Sequence, residues 1–88
     1  MRILKNTLYI TSPDIYLSLD GENIVALREG SEARRVPLHN LQGVVAFGYT
    51  GASPALMGAC AKRGIAMSFL TANGRFLARV TGEAVSYT

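Results

Sequence analysis

The sequence predicts a small α+β domain that is mostly β, with about seven strands and one helix near residues 53–63. Two uncharged apolar segments, 44–47 and 66–70, flank the helix, and this order and length are typical of a crossover unit packed on a sheet. Two turn sequences, at 21–23 and 72–74, contain the Gly and Asn residues that favour β-hairpins. These features predict a sheet-dominated fold but not the order of its strands.

Four strands are predicted in the first half of the chain, where short apolar and β-branched segments are separated by polar turns. The predicted strands are 7–10, 16–20, 24–28 and 34–36. The Ser-Pro-Asp sequence at 12–14 predicts a turn, and Gly-Glu-Asn at 21–23 closes a hairpin. The polar, Gly-containing segment 29–33 is predicted as a loop.

Three further strands are predicted in the second half: 44–47, 66–70 and 76–81. A bend or a single helical turn over 37–43 precedes them. Residues 48–52 form a flexible entry to the helix, and the Asn-Gly pair at 73–74 predicts a second hairpin between the last two strands.

The helix has start and stop signals at both ends. Ser53 is predicted at the N-cap and Pro54 at the first helical position, where its missing N–H costs nothing. Lys62 and Arg63 complement the negative end of the helix dipole, and Gly64 is suited to the left-handed residue that follows a helix.

The composition limits the classes of function. A chain of 88 residues makes one small domain, and 49% hydrophobic residues is a high fraction for that size. Some apolar surface is therefore expected to lie in an interface, with a second copy, with a further domain, or with both. The net charge of +3, spread along the chain, fits a nucleic-acid partner without establishing one.

Cysteine content and hydropathy give two further expectations. Cys60 is the only cysteine, which excludes an intrachain disulfide, and its place within the apolar helix predicts a small buried hydrophobe. No segment has the length of a membrane span or of a signal-peptide core. We therefore expect a cytoplasmic protein without a membrane partner.

No catalytic or metal-binding residue is predicted in this chain. His39 is the only histidine and lies in an acid-free segment, so it is expected to brace a turn. Asp14, Asp20 and Glu22 are the only clustered acids, and a hairpin turn accounts for the last two. Two-metal nuclease chemistry needs several convergent carboxylates, which this pattern does not supply.

The glycines before the helix, at 48 and 51, do not form a phosphate-binding loop, because the lysine and the glycine spacing of that motif are absent. They are expected to give the backbone freedom at a strand-to-helix bend. A weaker alternative is that amides at the helix start meet a DNA phosphate.

Four cations are candidate DNA-binding residues. Arg75 and Arg79 are four residues apart on the last predicted strand, a spacing that places both on one side with Leu77 between them. Lys62 and Arg63 precede the strand that pairs with this one, which permits a shared basic surface. The alternative is a solvated face, or ion pairs with a neighbouring domain. Tyr side chains could stack on bases, although most tyrosines in so small a domain simply pack: these are Tyr9, Tyr16, Tyr49 and Tyr87.

Segments across nearly the whole chain resemble one protein family. They are 6–9, 16–23, 37–43, 47–54, 64–65 and 68–80. Individually they are only moderately specific, but in this order and spacing they resemble the N-terminal domain of the CRISPR adaptation integrase, the universal first Cas protein. The likeness is greatest to the branch that accompanies type I-C systems.

The resemblance implies a small two-sheet β domain over 1–81, with the start of an interdomain linker at 82–88. It implies a role in dimerisation and DNA positioning for an endonuclease and integrase that inserts foreign DNA into a CRISPR array. The implied partners are a second copy, the companion second Cas adaptation protein, prespacer DNA and the array. Mg²⁺ or Mn²⁺ is implied only for the later catalytic helical domain, which is absent from this chain, so the chain alone is expected to be inactive.

The alternative is a free-standing, β-rich, dimerising module that binds nucleic acid and has no enzymatic context. A weaker third alternative is a small-ligand module built around the glycine bend. The coding sequence after codon 88 would separate the first two, since an in-frame helical domain with Glu, His and Asp favours the enzyme.

Overall fold

The computed structural model describes residues 1–12, 14–48 and 50–82, and the backbone of 85–87. Ten strands and one α-helix lie in this part of the chain. In order they are β1 (Arg2–Leu4), β2 (Thr7–Ile10), β3 (Ile15–Asp20), β4 (Asn23–Arg28), β5 (Ser31–Pro37), β6 (Gly43–Phe47), β7 (Gly51–Ala52), α1 (Pro54–Lys62), β8 (Ala66–Leu70), β9 (Phe76–Val80) and β10 (Val85–Tyr87). A single 3₁₀ turn, Leu38–Asn40, follows β5.

The strands form two sheets. A six-stranded sheet has the order β1-β2-β6-β8-β9-β10, and a four-stranded sheet has the order β5-β4-β3-β7. In the first, β2, β6 and β8 are parallel, while β1, β9 and β10 are antiparallel to their neighbours. The predicted crossover is present, because α1 connects the parallel strands β6 and β8.

The core lies between the sheets and under the helix. Alternate residues of β2, β6 and β8 point into it, as expected for strands with one covered face. Its fully buried members are Leu8, Ile10, Leu17, Ile24, Leu38, Val44, Leu56, Cys60 and Met67. Each buried Leu or Ile side chain contributes roughly 1.5–3 kcal/mol to folding, so this shared core fixes both sheets.

The helix begins and ends as the sequence predicts. The Ser53 hydroxyl accepts a hydrogen bond from the N–H of Leu56 at 3.2 Å, and Pro54 occupies the first turn. Gly64 follows the helix with φ of 72°, in the left-handed region that glycine adopts without strain. Leu56 and Cys60 form the buried side of this helix.

The predicted fold class is confirmed, and all seven predicted strands are present. The three further strands are the short ones at residues 2–4, 51–52 and 85–87. The prediction missed β1 because its hairpin turns through Lys5 and Asn6, which both have positive φ although neither is a glycine. Strand 7–10 is therefore an interior strand, and β1 lies at the sheet edge.

Two predicted loops differ from the structure. Segment 29–33 is a two-residue turn at Glu29 and Gly30, and β5 starts at Ser31. A glutamate with positive φ is uncommon, and for this reason the sequence predicted a longer loop. At the other end, the backbone of Val85–Tyr87, predicted as part of a linker, pairs with β9. Residues 83, 84 and 88 of that predicted linker, and Pro13 of the predicted turn, lie outside the described residues.

Candidate nucleic-acid interface

One side of the six-stranded sheet is not covered by any described element. Along β2, Leu8 and Ile10 are buried in the core while Thr7 and Tyr9 are half-buried, and β6 and β8 alternate in the same way. None of the half-buried residues packs against the core cluster. We call this side the open face. By register it contains Arg2, Leu4, Thr7, Tyr9, Gly43, Val45, Phe47, Ala66, Ser68, Leu70, Phe76 and Arg79.

A β-bulge in β9 determines where Arg79 points. Ala78 pairs with Phe69 and Phe76 pairs with Leu70, so Leu77 is an extra residue without a partner in register. Because the bulge shifts the alternation by one, Phe76 and Arg79 share the open face although they are three residues apart. The Arg79 guanidinium carbon lies 6.0 Å from the centroid of the Phe76 ring, and its Nε donates to the Ser68 hydroxyl at 3.2 Å.

The predicted geometry of Arg75 and Arg79 is therefore wrong. Arg75 precedes β9 and belongs to the hairpin turn, where its N–H donates to the Thr71 hydroxyl at 3.0 Å. The spacing of four assumed an unbroken strand, and the bulge at Leu77 removes that assumption. Both arginines are exposed cations, but only Arg79 is assigned to the open face.

The second candidate pair, Lys62 and Arg63, lies at the end of α1, away from the hairpin turn. Arg63 donates to the Glu22 carboxylate at 2.8 Å, and this hydrogen bond and charge hold the pKa of Glu22 below its ordinary value. The charge of Arg63 is thus largely compensated by the other sheet. In the described part of the chain, no ion pair involves Lys62. The structure does not bring these two cations and Arg75 into one patch.

Acidic residues are segregated between the two sheets. All acids of the chain except Glu83, which lies outside the described residues, are between residues 14 and 32, on the four-stranded sheet or its turns. They form ion pairs there with Arg28 and Arg35 and, from the helix end, with Arg63: Asp14–Arg28 at 3.1 Å, Asp20–Arg35 at 2.8 Å, Glu32–Arg35 at 2.9 Å and Glu22–Arg63 at 2.8 Å.

The six-stranded sheet has the opposite character. Its strands β1 to β9 and their hairpin turns carry Arg2, Lys5, Arg75 and Arg79 and no acid among the described residues. A cationic surface without competing carboxylates is the electrostatic footprint expected for a nucleic-acid partner. This is the strongest functional feature of the described structure.

No residue set suited to catalysis or to a metal is present among the described residues, where no three His, Cys, Asp or Glu side chains come together. His39 is exposed on the 3₁₀ turn. Cys60 is buried, and its burial raises the thiol pKa to about 11, which makes it an unreactive core residue. The donor set therefore does not fit the divalent metal implied by the resemblance.

The glycine bend also has a structural explanation. Gly51 lies in β7 beside Tyr16 of β3, and an added Cβ would approach the Tyr16 ring to 2.9 Å. The close approach requires glycine, which supports the backbone role that the sequence predicted. Tyr16 lies outside the open face, the side chain of Tyr87 is not described, and Tyr49 lies outside the described residues.

Sequence reasoning missed Arg2 as a candidate, because β1 was not predicted and a lone N-terminal arginine carries no signal. Tyr9 was one of four tyrosines considered for stacking, and register now separates it from the others. Its period-two spacing from the buried Leu8 and Ile10 was the available signal for its place on an uncovered face.

In this part of the chain, no helix has both the length and the apolar character needed to cross a bilayer.

Comparison with known proteins identifies the family. The profile of the family described as "CRISPR associated protein Cas1" matches residues 8–88. A relative from Rhodospirillum rubrum, described as "CRISPR-associated endonuclease Cas1 2", is 51% identical over 82 residues. That match covers 93% of this chain but 24% of the relative, so the chain spans about a quarter of the relative's length.

Solved structures share the fold at low sequence identity. A partial Cas6-RT-Cas1–Cas2 complex matches with a TM-score of 0.77 and 17% identity, covering 85% of this chain and 23% of that one. A TtCas1–DNA complex matches with a TM-score of 0.72 and 14% identity, covering 91% and 30%. At this identity, the likeness establishes the two-sheet fold.

Proposed function

Since the chain belongs to the Cas1 family of CRISPR-associated proteins, we propose that it is the N-terminal dimerisation and DNA-positioning domain of a CRISPR adaptation endonuclease and integrase. The whole protein would acquire fragments of foreign DNA and insert them into a CRISPR array. The observation that carries the proposal is the family match over residues 8–88, together with 51% identity to a Cas1 endonuclease.

The domain's own share of this work is binding and positioning. The acid-free six-stranded sheet and its turns supply cations, among them Arg75 and Arg79, for DNA phosphates. Contacts of this kind bind without sequence preference, because phosphates are the same at every base pair. Lys62 and Arg63 belong to the proposal with a smaller part, since Glu22 already compensates Arg63.

A second copy of the chain is the proposed protein partner. β1 is an edge strand with exposed backbone, and its side chains Ile3 and Leu4 are 37% and 47% exposed. Open strand edges pair readily with another chain. A Cas2-type adaptation protein is the proposed second partner, supported by the likeness to a domain from a Cas1–Cas2 complex.

Divalent metal chemistry is assigned to the rest of the protein. The proposal places Mg²⁺ or Mn²⁺ in a later helical domain, because the described residues here bring no three ligands together. It also assigns the chain to the type I-C-like branch of the family and to the cytoplasm, on the resemblance of its sequence segments.

The proposal is tested first by the coding sequence after codon 88. An in-frame helical domain containing Glu, His and Asp supports it, whereas an immediate stop codon favours the free-standing nucleic-acid-binding module. The second test is duplex DNA binding by the chain over a salt series. No binding to any duplex at low salt would remove the DNA-positioning role.

A further inference from the structure

We propose that the open face is a binding platform for single-stranded DNA. Bases stack on Tyr9 and Phe76, and phosphates are met by Arg2 and Arg79 at the two ends of the face. This inference rests on the proposed DNA role of the domain and adds to it the strandedness of the ligand and the surface that takes it.

The geometry of one row of residues supports a short strand of nucleic acid. Arg2, Tyr9, Val45, Ser68 and Arg79 are paired in register across five adjacent strands. Four inter-strand steps of about 4.8 Å give a row roughly 19 Å long, with an arginine at each end. A four-stranded sheet of similar width stacks two or three bases in RNA recognition motifs.

Aromatic rings on this face are available for stacking. Tyr9 is next to Arg2 in register, and Phe76 lies on the next row, beside Leu70 and Phe47. All three aromatic side chains are half-buried by their neighbours on the sheet, and none packs against the core. Arg79 already lies 6.0 Å from the Phe76 ring, which holds a cation beside the stacking surface.

Charge favours an anionic ligand over a second copy of the chain. The open face contains two arginines and no acid. Packing two such faces together would bring four arginines to one interface without a carboxylate. A DNA strand supplies phosphates for the arginines and apolar base faces for the centre, so it matches both parts of the surface.

The flat face distinguishes single strands from duplexes. Bases in a duplex are stacked on each other and paired, so their faces cannot reach Tyr9 or Phe76. Unpaired bases expose both faces, and stacking on an aromatic side chain tolerates any sequence. The face is therefore expected to bind single strands by stacking and duplexes by phosphate contacts alone.

The experiment measures binding of a fluorescent dT15 oligonucleotide and of a 15-base-pair duplex to the 88-residue chain by anisotropy. The variants are Tyr9→Ala and Phe76→Ala, singly and together. The matched control is Tyr16→Ala, which removes an exposed tyrosine from the four-stranded sheet. Thermal melts establish that each variant is folded, and light scattering follows its mass.

Each open-face substitution is expected to weaken dT15 binding by roughly 5- to 150-fold, since stacking contributes about 1–3 kcal/mol per base. Duplex binding and the Tyr16→Ala variant should change little. In the double variant Arg2→Ala and Arg79→Ala, the log–log salt slope on dT15 should fall by about 1.4, at about 0.7 for each phosphate on a single strand.

Three outcomes overturn the inference. Equal losses on dT15 and on duplex would mean that the face binds phosphates without stacking. Unchanged binding with an altered molecular mass would make the face a protein interface. Duplex binding without dT15 binding would refute the platform and leave the proposed function standing, whereas binding of neither DNA would remove both.

Discussion

Replacing Arg75 and Arg79 together by Ala removes two cations from the acid-free sheet and its hairpin turn. A matched control exists in the same chain. Replacing Arg28 and Arg35 by Ala removes the same number of charges, but from the four-stranded sheet, where both are paired with acids. The two double variants have the same net charge and differ only in where the cations were.

The expected effect follows from counterion release. Each phosphate contact on duplex DNA contributes about 0.9 to the slope of log affinity against log salt. If both arginines meet phosphates, the slope falls by about 1.8. Each lost contact also lowers the salt sensitivity by roughly 3.5-fold in affinity between 50 and 200 mM. The control variant should keep the slope of the parent, because Arg28 and Arg35 are already held by Asp14, Asp20 and Glu32.

The assay is a salt titration of affinity on two duplexes of unrelated sequence. Both variants are melted beforehand, because the control leaves three carboxylates without their partners. Equal slopes in the two variants would show that DNA responds to net charge alone and would refute the reasoning. A loss confined to one duplex would mean that the arginines contact bases, against the proposed lack of sequence preference.

Three further predictions concern the chain alone. It should leave linear and branched DNA intact with Mn²⁺, because the described residues bring no metal-binding set together; cleavage that is lost on an acid-to-Ala change in this chain would contradict this. Light scattering at micromolar concentrations should give twice 9.4 kDa, and Ile3→Lys on the edge strand should return the monomer mass, so a monomeric parent or an unaffected dimer counts against β1 pairing. Lowering the pH should destabilise the fold partly through Glu22, whose pKa is lowered by Arg63: its ionised form stabilises the native state above the unfolded pKa near 4.5, and this is lost as pH falls through the lower native value. The fall in melting temperature between pH 6 and pH 3 should therefore be smaller in Glu22→Gln, and an identical fall would exclude the pair as a contributor.

Local signals were sufficient for most of the fold. The Asn-Gly turn before β9 requires positive φ, and Gly74 has φ of 87°. The N-cap at Ser53 defined the start of the helix. Each of these features depends on residues adjacent in sequence, so each could be read without knowing what packs against it.

The errors occurred where the conformation is set by a distant partner. Lys5 and Glu29 adopt positive φ because the strands on either side of them pair, and neither residue type signals a tight turn. The bulge at Leu77 likewise exists only in relation to β8, and it decides which side Arg79 occupies. A spacing of four residues is therefore an unsafe guide to a shared face until the pairing register is known.

The candidate site depends still more strongly on topology. The acid-free parts of the six-stranded sheet come from both ends of the chain, residues 2–10 and 43–80, while the acids lie between residues 14 and 32. Strand order β1-β2-β6-β8-β9 brings the two ends together and leaves the acidic middle segment to the other sheet. A chain with a modest net charge thus presents one sheet free of carboxylates, which composition alone could not show. Because the separation is made by the fold, moving one acid onto the open face, as in Ser68→Glu, would test its importance without altering the core.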